Sequence, residues 1–249
     1  MNLELQGKVA LVTGSSKGIG LAIAQALRQE GCTVVLNGRD AGRLAVAAQR
    51  LGVSGIAGDV CEEAGAQALV SEVMARHGAL DILVSNVGSG TSLPPGKENW
   101  AEWDRMLGLN LRAAVNAVSA AREALAARRG VVLCISSICG SAALGAPLAY
   151  SAAKAALNSY VRGISRVLAA EGVRINALAP GNVLFEGSSW ERHLDNNSQG
   201  VKDMLEREVA LKRFGSTEEI ANVAAFLCSA KSSFMTGEVV VADGGQLRS

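Results

Sequence analysis

Short apolar runs alternate with longer segments of helical periodicity along the whole chain. Seven runs rich in valine, isoleucine, leucine and alanine lie at 9–13, 33–37, 55–57, 82–85, 131–136, 174–179 and 239–242. Because most of these runs are apolar almost without interruption, they predict strands that helices cover on both faces. The helical patterns between them include residues 19–30, 62–77, 103–128 and 150–171.

This strict alternation predicts an α/β fold: a doubly wound, Rossmann-type parallel sheet of about seven strands with helices on both faces. No repeat, low-complexity segment or linker divides the chain, so we expect residues 1–249 to form one domain. The strand pattern stops between 182 and 212. A run of that length is typical of a lid or binding loop, which we place at 184–213.

Composition and charge exclude several classes of protein. The 24 basic and 23 acidic residues give a net charge of +1, with no run of like charge. Nucleic-acid and membrane-surface proteins need a concentrated basic face, which is missing here. The five cysteines lack CxxC spacing, so we expect free thiols, and a chain of this size folds without a metal or a disulfide. With no signal-peptide pattern and no membrane-length apolar run, the expected location is cytoplasmic.

The first predicted strand ends in a glycine-rich loop, TGSSKGIG at residues 13–20, and a helical pattern follows it. Glycine lacks a Cβ, so the backbone can turn tightly there and approach a pyrophosphate closely. Unpaired N–H groups at the start of the helix add donors and a partial positive charge. Glycines also mark ordinary turns, but the strand–loop–helix order is the context that dinucleotide binding requires.

Tyr150 and Lys154 are four residues apart on a predicted helix and therefore share one face. A tyrosine with an ordinary pKa near ~10 is a weak acid–base group at pH 7, and a nearby ammonium lowers that pKa. The spacing alone is common on helix surfaces. Here, however, the pair follows Ser136 and Ser137 at the end of the fifth predicted strand, the edge where open α/β sheets bind ligands.

The loop spacing G-x-x-x-G-x-G, taken with other landmarks, resembles that of the short-chain dehydrogenase/reductase family over essentially the whole chain. The landmarks are Gly14, Gly18, Gly20, Asp59, Asn86, Gly88, Asn110, Ser137, Tyr150, Lys154, Pro180, Gly181 and the terminal Asp243-Gly244-Gly245. The resemblance implies an enzyme that moves a hydride between a nicotinamide cofactor and a carbonyl or secondary alcohol. The overall pattern is most similar to the subgroup of 3-oxoacyl-carrier-protein reductases.

The resemblance also implies a role for each residue. Tyr150 is the general acid/base, Ser137 orients the substrate oxygen, and Lys154 lowers the tyrosine pKa and holds the nicotinamide ribose. Asn110 supports a water-linked proton relay to Lys154, a role compatible with its being a polar residue that satisfies a helix kink. The implied cofactor-binding residues are Gly14, Ser16, Lys17, Gly18, Ile19, Gly20, Arg39, Asp59, Val60, Asn86, Gly88, Tyr150, Lys154, Pro180, Gly181 and Val183.

The end of the second predicted strand favours NADP(H) over NAD(H). An NAD enzyme usually has an acid there that binds the ribose 2′-OH, whereas this strand ends in Asn37 and Gly38. Arg39 and Lys17 offer cations for a 2′-phosphate, as in the NADP subgroup of the resembled family. The alternative is that both are ordinary solvated cations and that Asp40 holds the ribose. Asp40, however, also suits the N-cap of the next helix.

Several features leave the substrate and the assembly open. Val87 and Phe185 depart from the pattern of the resembled family, so we expect the cofactor contacts beside them to differ from that pattern. The aromatic and polar residues of the predicted lid suit a sugar, a polyol, an acyl derivative such as a 3-oxoacyl thioester, or another ketone. A catalytically silent cofactor-binding regulator is the alternative on the same fold. The resemblance further implies a homotetramer, or a homodimer.

Overall fold

The centre of the computed structural model, which describes residues 2–248, is a seven-stranded sheet whose neighbouring strands all run parallel. In chain order the strands are β1 (Val9–Val12), β2 (Thr33–Gly38), β3 (Ser54–Ala57), β4 (Ile82–Ser85), β5 (Val131–Ile135), β6 (Arg174–Pro180) and β7 (Val239–Ala242). They are arranged as β3-β2-β1-β4-β5-β6-β7. The predicted fold class and strand number are confirmed, with each strand end within two residues of its expected position.

Helices cover both faces of the sheet. They are α1 (Gly18–Gln29), α2 (Ala41–Leu51), α3 (Glu63–His77), α4 (Trp100–Leu107), α5 (Ala113–Arg128), α6 (Leu148–Ala170), α7 (Ser189–Glu208) and α8 (Thr217–Cys228). One buried apolar cluster joins α1, α2 and α8 to the sheet, and a second joins α3, α5 and α6. None of these helices is both long and apolar enough to span a membrane.

Alternate residues of one strand supply these two clusters. In β1, Ala10 and Val12 pack in the first cluster, whereas Val9 and Leu11 pack in the second. A strand that is buried on both faces has no polar side, which explains the uninterrupted apolar runs in the sequence.

The prediction of one continuous helix over 103–128 was wrong, because the structure interrupts it. A π-helical turn at Gly108–Arg112 separates α4 from α5. Nδ2 of Asn110, inside this turn, donates hydrogen bonds of 3.1 Å to the carbonyl groups of Met106 and Ser89. Such turns are frequent at functional sites. The sequence patterns above did not include α8.

The predicted lid segment contains α7, which builds a small apolar cluster of its own. Val201, Leu205 and Val209 are buried in it, and Trp190 and Phe214 pack against them. Non-helical dihedral angles at Asn197 (φ −155°, ψ 72°) kink the helix. Movement of this segment as a lid stays a prediction.

Candidate active site

A cavity of about 1170 Å³ opens at the carboxyl ends of the central strands, where the strand order reverses between β1 and β4. Most of the predicted site residues line it: Gly14, Lys17, Gly18, Ile19, Gly20, Asn86, Gly88, Asn110, Ser137, Tyr150, Lys154, Pro180, Gly181 and Val183. The other predicted residues, Ser16, Arg39, Asp59 and Val60, lie outside the lining. The structure therefore brings the glycine loop and the predicted catalytic group together in one site.

The glycine loop is too tightly folded to accommodate a side chain at its three glycines. Gly14 and Gly18 have φ angles of 60° and 58°, which disfavour any residue with a Cβ. A Cβ on Gly20 would lie 2.4 Å from Nδ2 of Asn86 and 2.7 Å from the carbonyl oxygen of Gly14. Asn86 holds the loop in this shape, because its Nδ2 donates to the carbonyl groups of Thr13 (3.2 Å) and Gly14 (2.9 Å).

The helix that follows the loop begins without a side-chain cap. Lys17 occupies the N-cap of α1 and makes no capping hydrogen bond. A side chain caps α2, α4, α7 and α8, whereas α3, α5 and α6 share the uncapped start of α1. The first N–H groups of α1 thus have no competing side-chain acceptor, and a bare backbone loop faces them. This arrangement fits the phosphate groups of a dinucleotide.

The residues expected at the far end of the cofactor form an exposed pair. Nη1 of Arg39 is 3.4 Å from Oδ2 of Asp59. Burial tends to raise the pKa of Asp59, but hydrogen bonds from Cys61 and the charge of Arg39 outweigh it and lower that pKa. Val60 is buried behind them, and its carbonyl accepts a hydrogen bond from Asn116.

The acid next to Arg39 is engaged elsewhere. Asp40 caps α2 by accepting a 2.9 Å hydrogen bond from the N–H of Arg43, as the sequence indicated. Lys17 is exposed, and its Nζ comes within 3.5 Å of the carbonyl oxygen of Gly187. Asn37 is buried and donates to the carbonyl groups of Ile56 and Gly58. Asn37 therefore offers no carboxylate to a ribose hydroxyl, Asp40 caps α2 and contacts Arg43, and Asp59 is paired with Arg39.

Tyr150 and Lys154 lie on successive turns at the start of α6, against the end of β5. Lys154 is buried, with 4% of its surface exposed, and its Nζ donates a 2.7 Å hydrogen bond to the carbonyl oxygen of Ile135. A Cβ on Gly88 would lie 2.7 Å from Oδ1 of Asn110 and 3.2 Å from Nζ of Lys154. Glycine at position 88 thus allows Asn110 and Lys154 to approach the same point.

Burial dominates the protonation of this pair. It raises the pKa of Tyr150 to about 12, with the Ser137 hydroxyl acting in the opposite direction. It also lowers the pKa of Lys154 to about 8. The sequence-based expectation was that Lys154 lowers the tyrosine pKa, but the group that does so here is Ser137. The physical reason is that the Nζ of Lys154 is directed to the carbonyl oxygen of Ile135, while burial is the largest influence on the pKa of Tyr150.

Two adjacent serines end β5, and the structure assigns them different partners. The Ser136 hydroxyl donates a 2.6 Å hydrogen bond to Oδ1 of Asn158, on α6. Oγ of Ser137 accepts the N–H of Cys139 at 3.2 Å, which leaves its own proton for another partner. The geometry supports the choice of Ser137 over Ser136 as the residue that contacts substrate. Cys139 lines the cavity as a free thiol.

The side chain of Asn110 is fully engaged by the fold. Its Oδ1 accepts the N–H of Ser89 (3.1 Å), and its Nδ2 bonds the carbonyl groups of Ser89 and Met106. The interpretation as a polar residue that satisfies a helix kink is confirmed. A part in a proton relay is compatible with this position and stays a prediction.

The predicted lid lines the opposite wall of the cavity. Phe185 covers the glycine loop, since a Cβ on Gly18 would lie 2.6 Å from its ring. Nη2 of Arg192 donates a 2.7 Å hydrogen bond to Oγ1 of Thr91 and so joins α7 to the loop after β4. His193 is exposed, with its ring 5.4 Å from that of Trp190. Gln246, which sequence reasoning missed, also lines the cavity, directly after the recognised Asp-Gly-Gly motif.

The family model described as Enoyl-(Acyl carrier protein) reductase matches residues 14–246. Oxidoreductase asL5 of Sarocladium schorii is 37% identical over 97% of this chain and 96% of its own length. The 3-oxoacyl-acyl-carrier-protein reductase FabG of Aquifex aeolicus is 32% identical over 98% of this chain and 99% of its own length. The L-sorbose reductase of Gluconobacter frateurii, solved with NADPH and L-sorbose, is 31% identical to this chain. The structural match covers 100% of each chain, with a TM-score of 0.93.

Proposed function

The chain is an oxidoreductase of the short-chain dehydrogenase/reductase family, and we propose that it uses NADP(H) to interconvert a ketone and a secondary alcohol, with Tyr150 as general acid/base. The observation that carries the proposal is the convergence of Ser137, Tyr150 and Lys154 with the glycine loop in one cavity. Open α/β sheets bind their ligands at this edge.

Two side chains would handle the substrate oxygen. NADPH supplies a hydride when it is bound. The Ser137 hydroxyl donates a hydrogen bond to the substrate carbonyl and stabilises negative charge that develops on its oxygen. Tyr150 then donates the phenolic proton to that oxygen, and in the reverse direction it removes the proton. A pKa of about 12 keeps the phenol protonated at neutral pH, which suits the reducing direction.

Lys154 and Asn110 would support the proton transfer. A buried Lys154 with a pKa of about 8 changes its charge readily near neutral pH. Asn110 lies beside its Nζ, around Gly88. We propose that Lys154 also holds the nicotinamide ribose, with Pro180, Gly181 and Val183 forming the neighbouring wall.

The residues at the phosphate end fit NADP(H) better than NAD(H). The start of α1 and the loop at 14–20 would hold the pyrophosphate, while Lys17 and Arg39 would bind the 2′-phosphate. Arg39 would exchange its 3.4 Å contact with Asp59 for the phosphate, at little cost because exposed ion pairs contribute little stability. The similar L-sorbose reductase was solved with NADPH.

A self-associated enzyme is part of the proposal. The strand β7 is one edge of the sheet, and Val241 on it is 42% exposed. Phe234, just before this strand, is fully exposed. An apolar edge strand of this kind is normally covered, and we propose that a second copy covers it in a homotetramer or homodimer.

The reaction can be tested with purified protein, NADPH or NADH, and a panel of ketones that includes a ketohexose and an acetoacetyl thioester. We expect NADPH to be oxidised faster than NADH with at least one ketone, and Tyr150→Phe to abolish turnover while still binding NADPH. A wild-type protein that binds NADPH but reduces no ketone would instead support the cofactor-binding regulator. Near-normal turnover by Tyr150→Phe would refute the role of Tyr150.

A further inference from the structure

Gln246 lies in a rigid turn after β7, at the end of the cavity. It is 8% exposed and lines the cavity together with Asn182, Met204 and Glu208. The carboxylate of Asp243 accepts the N–H groups of Gly245 (2.8 Å) and Leu247 (2.7 Å), one on each side of Gln246. The backbone that presents this side chain is therefore fixed.

Packing on both sides of the turn determines what Gln246 faces. A Cβ on Gly181 would lie 2.7 Å from Cα of Asp243, so the turn abuts the end of β6. A Cβ on Gly245 would lie 2.7 Å from Cβ of Ala210, so the turn also abuts the segment after α7. Gln246 is thus held between the proposed nicotinamide wall and the predicted lid.

The amide of Gln246 is incompletely satisfied by the fold. Its Oε1 is buried and has no hydrogen-bond partner within residues 2–248. Three other side-chain atoms share this condition, on Asn37, Ser54 and His77, but none of those residues lines the cavity. Buried polar atoms are nearly always hydrogen-bonded in native proteins, so Gln246 carries an unused acceptor beside the cavity, and a rotation of its side chain would present that acceptor to a donor on a ligand.

We infer that Gln246 binds a hydroxyl group of the substrate, which makes the substrate a ketone with hydroxyl groups beyond the reacting carbonyl. The inference rests on the proposed function. An amide oxygen accepts a hydrogen bond from a hydroxyl, whereas an alkyl or thioester chain has no O–H to donate. Glu208, on the same wall, adds a second acceptor, a carboxylate whose Oε1 also contacts Nη2 of Arg207 at 2.7 Å.

The experiment compares two ketones of equal chain length, a ketohexose and 2-hexanone, with wild type and Gln246→Leu. The substitution should lower kcat/KM for the ketohexose by roughly 10- to 100-fold, because it removes a partner of a substrate hydroxyl. It should leave kcat/KM for 2-hexanone and the dissociation constant for NADPH unchanged. Gln49→Leu, on the exposed surface of α2, is the matched control and should alter none of these values.

Folding is checked through the melting temperature, which should not fall, because Gln246→Leu removes an unpaired buried amide. If Gln246→Leu fails to fold, Gln246→Met keeps the length of the side chain and serves the same comparison. An equal loss with both ketones, or a change confined to NADPH binding, would overturn the inference. A wild type that reduces 2-hexanone but not the ketohexose would also overturn it, with the proposed function intact. If no ketone is reduced, the proposed function itself fails.

Discussion

The hydroxyl of Ser136 donates a 2.6 Å hydrogen bond to Oδ1 of Asn158, two turns after Tyr150 on α6. Asn158 in turn donates to the carbonyl oxygen of Gly140, in the short helix that follows Ser137. Ser136 therefore ties the end of β5 to the helix that carries the acid/base pair. Its neighbour Ser137 has a hydroxyl proton left for a ligand.

The different hydrogen-bond partners of Ser136 and Ser137 predict that one serine substitution affects turnover and the other affects stability. Ser137→Ala should lower kcat by about 100- to 1,000-fold, the usual loss when one donor to a developing oxyanion is removed. Ser136→Ala should leave kcat near wild type but lower the free energy of unfolding by about 1–3 kcal/mol, because Oδ1 of Asn158 loses its partner. Steady-state kinetics and urea denaturation measure the two effects. If Ser136→Ala has the larger loss of kcat, the assignment is reversed.

Cofactor choice predicts a selective loss of NADPH binding. Lys17→Ala combined with Arg39→Ala should raise KM for NADPH by roughly 10- to 100-fold, because charge-assisted hydrogen bonds to the 2′-phosphate are lost. KM for NADH should remain nearly constant, since NADH lacks that phosphate. The control is Arg50→Ala, which removes an exposed arginine from α2. Equal increases for both cofactors would contradict the assignment to the 2′-phosphate.

Most of the fold and much of the site could be predicted because both depend on local sequence. Apolar runs define strands, and the carboxyl ends of parallel strands meet at one edge, so the loop at 14–20, Ser137 and Pro180 had to converge. A helix kink satisfied by Asn110 was expected, but the π-helical turn itself was not, because it depends on hydrogen bonds to Ser89, 21 residues away in the chain. The pKa of Tyr150 could not be derived from its spacing to Lys154, because the burial of Lys154 and the partly buried position of Tyr150 are tertiary properties.

The contact between Arg192 and Thr91 predicts how firmly α7 is held over the cavity. Thr91→Val removes the oxygen that accepts the 2.7 Å hydrogen bond while keeping the shape of the side chain. We expect amide hydrogen exchange in the first turns of α7 to become faster, by up to about fivefold, as an exposed pair contributes at most about 1 kcal/mol. Thr33→Val, on the exposed start of β2, is the control. Unchanged exchange would contradict a role of this hydrogen bond in holding the helix.

Burial of Lys154 predicts a pH dependence of stability. Its pKa is about 8 in the folded protein against an ordinary value of 10.5. Between these values the unfolded chain binds one more proton than the folded protein does, so this residue makes the free energy of unfolding rise with pH. Below pH 8 the lysine is charged in both states, and the full cost of burying that charge is present.

The stability of wild type relative to Lys154→Met should therefore increase between pH 7.5 and pH 10.5, by about 3 kcal/mol in total. Lys154→Met also loses the hydrogen bond to the carbonyl of Ile135. That loss shifts the free energy of unfolding by the same amount at every pH and does not affect the slope. Urea denaturation of both proteins without cofactor, at several pH values in this window, measures the slope. Lys202→Met removes an exposed lysine from α7 and controls for the change in net charge. A relative stability that stays constant from pH 7.5 to pH 10.5 would mean that Lys154 remains charged in the folded protein, and the proposed proton transfer would then need an ammonium at all working pH values.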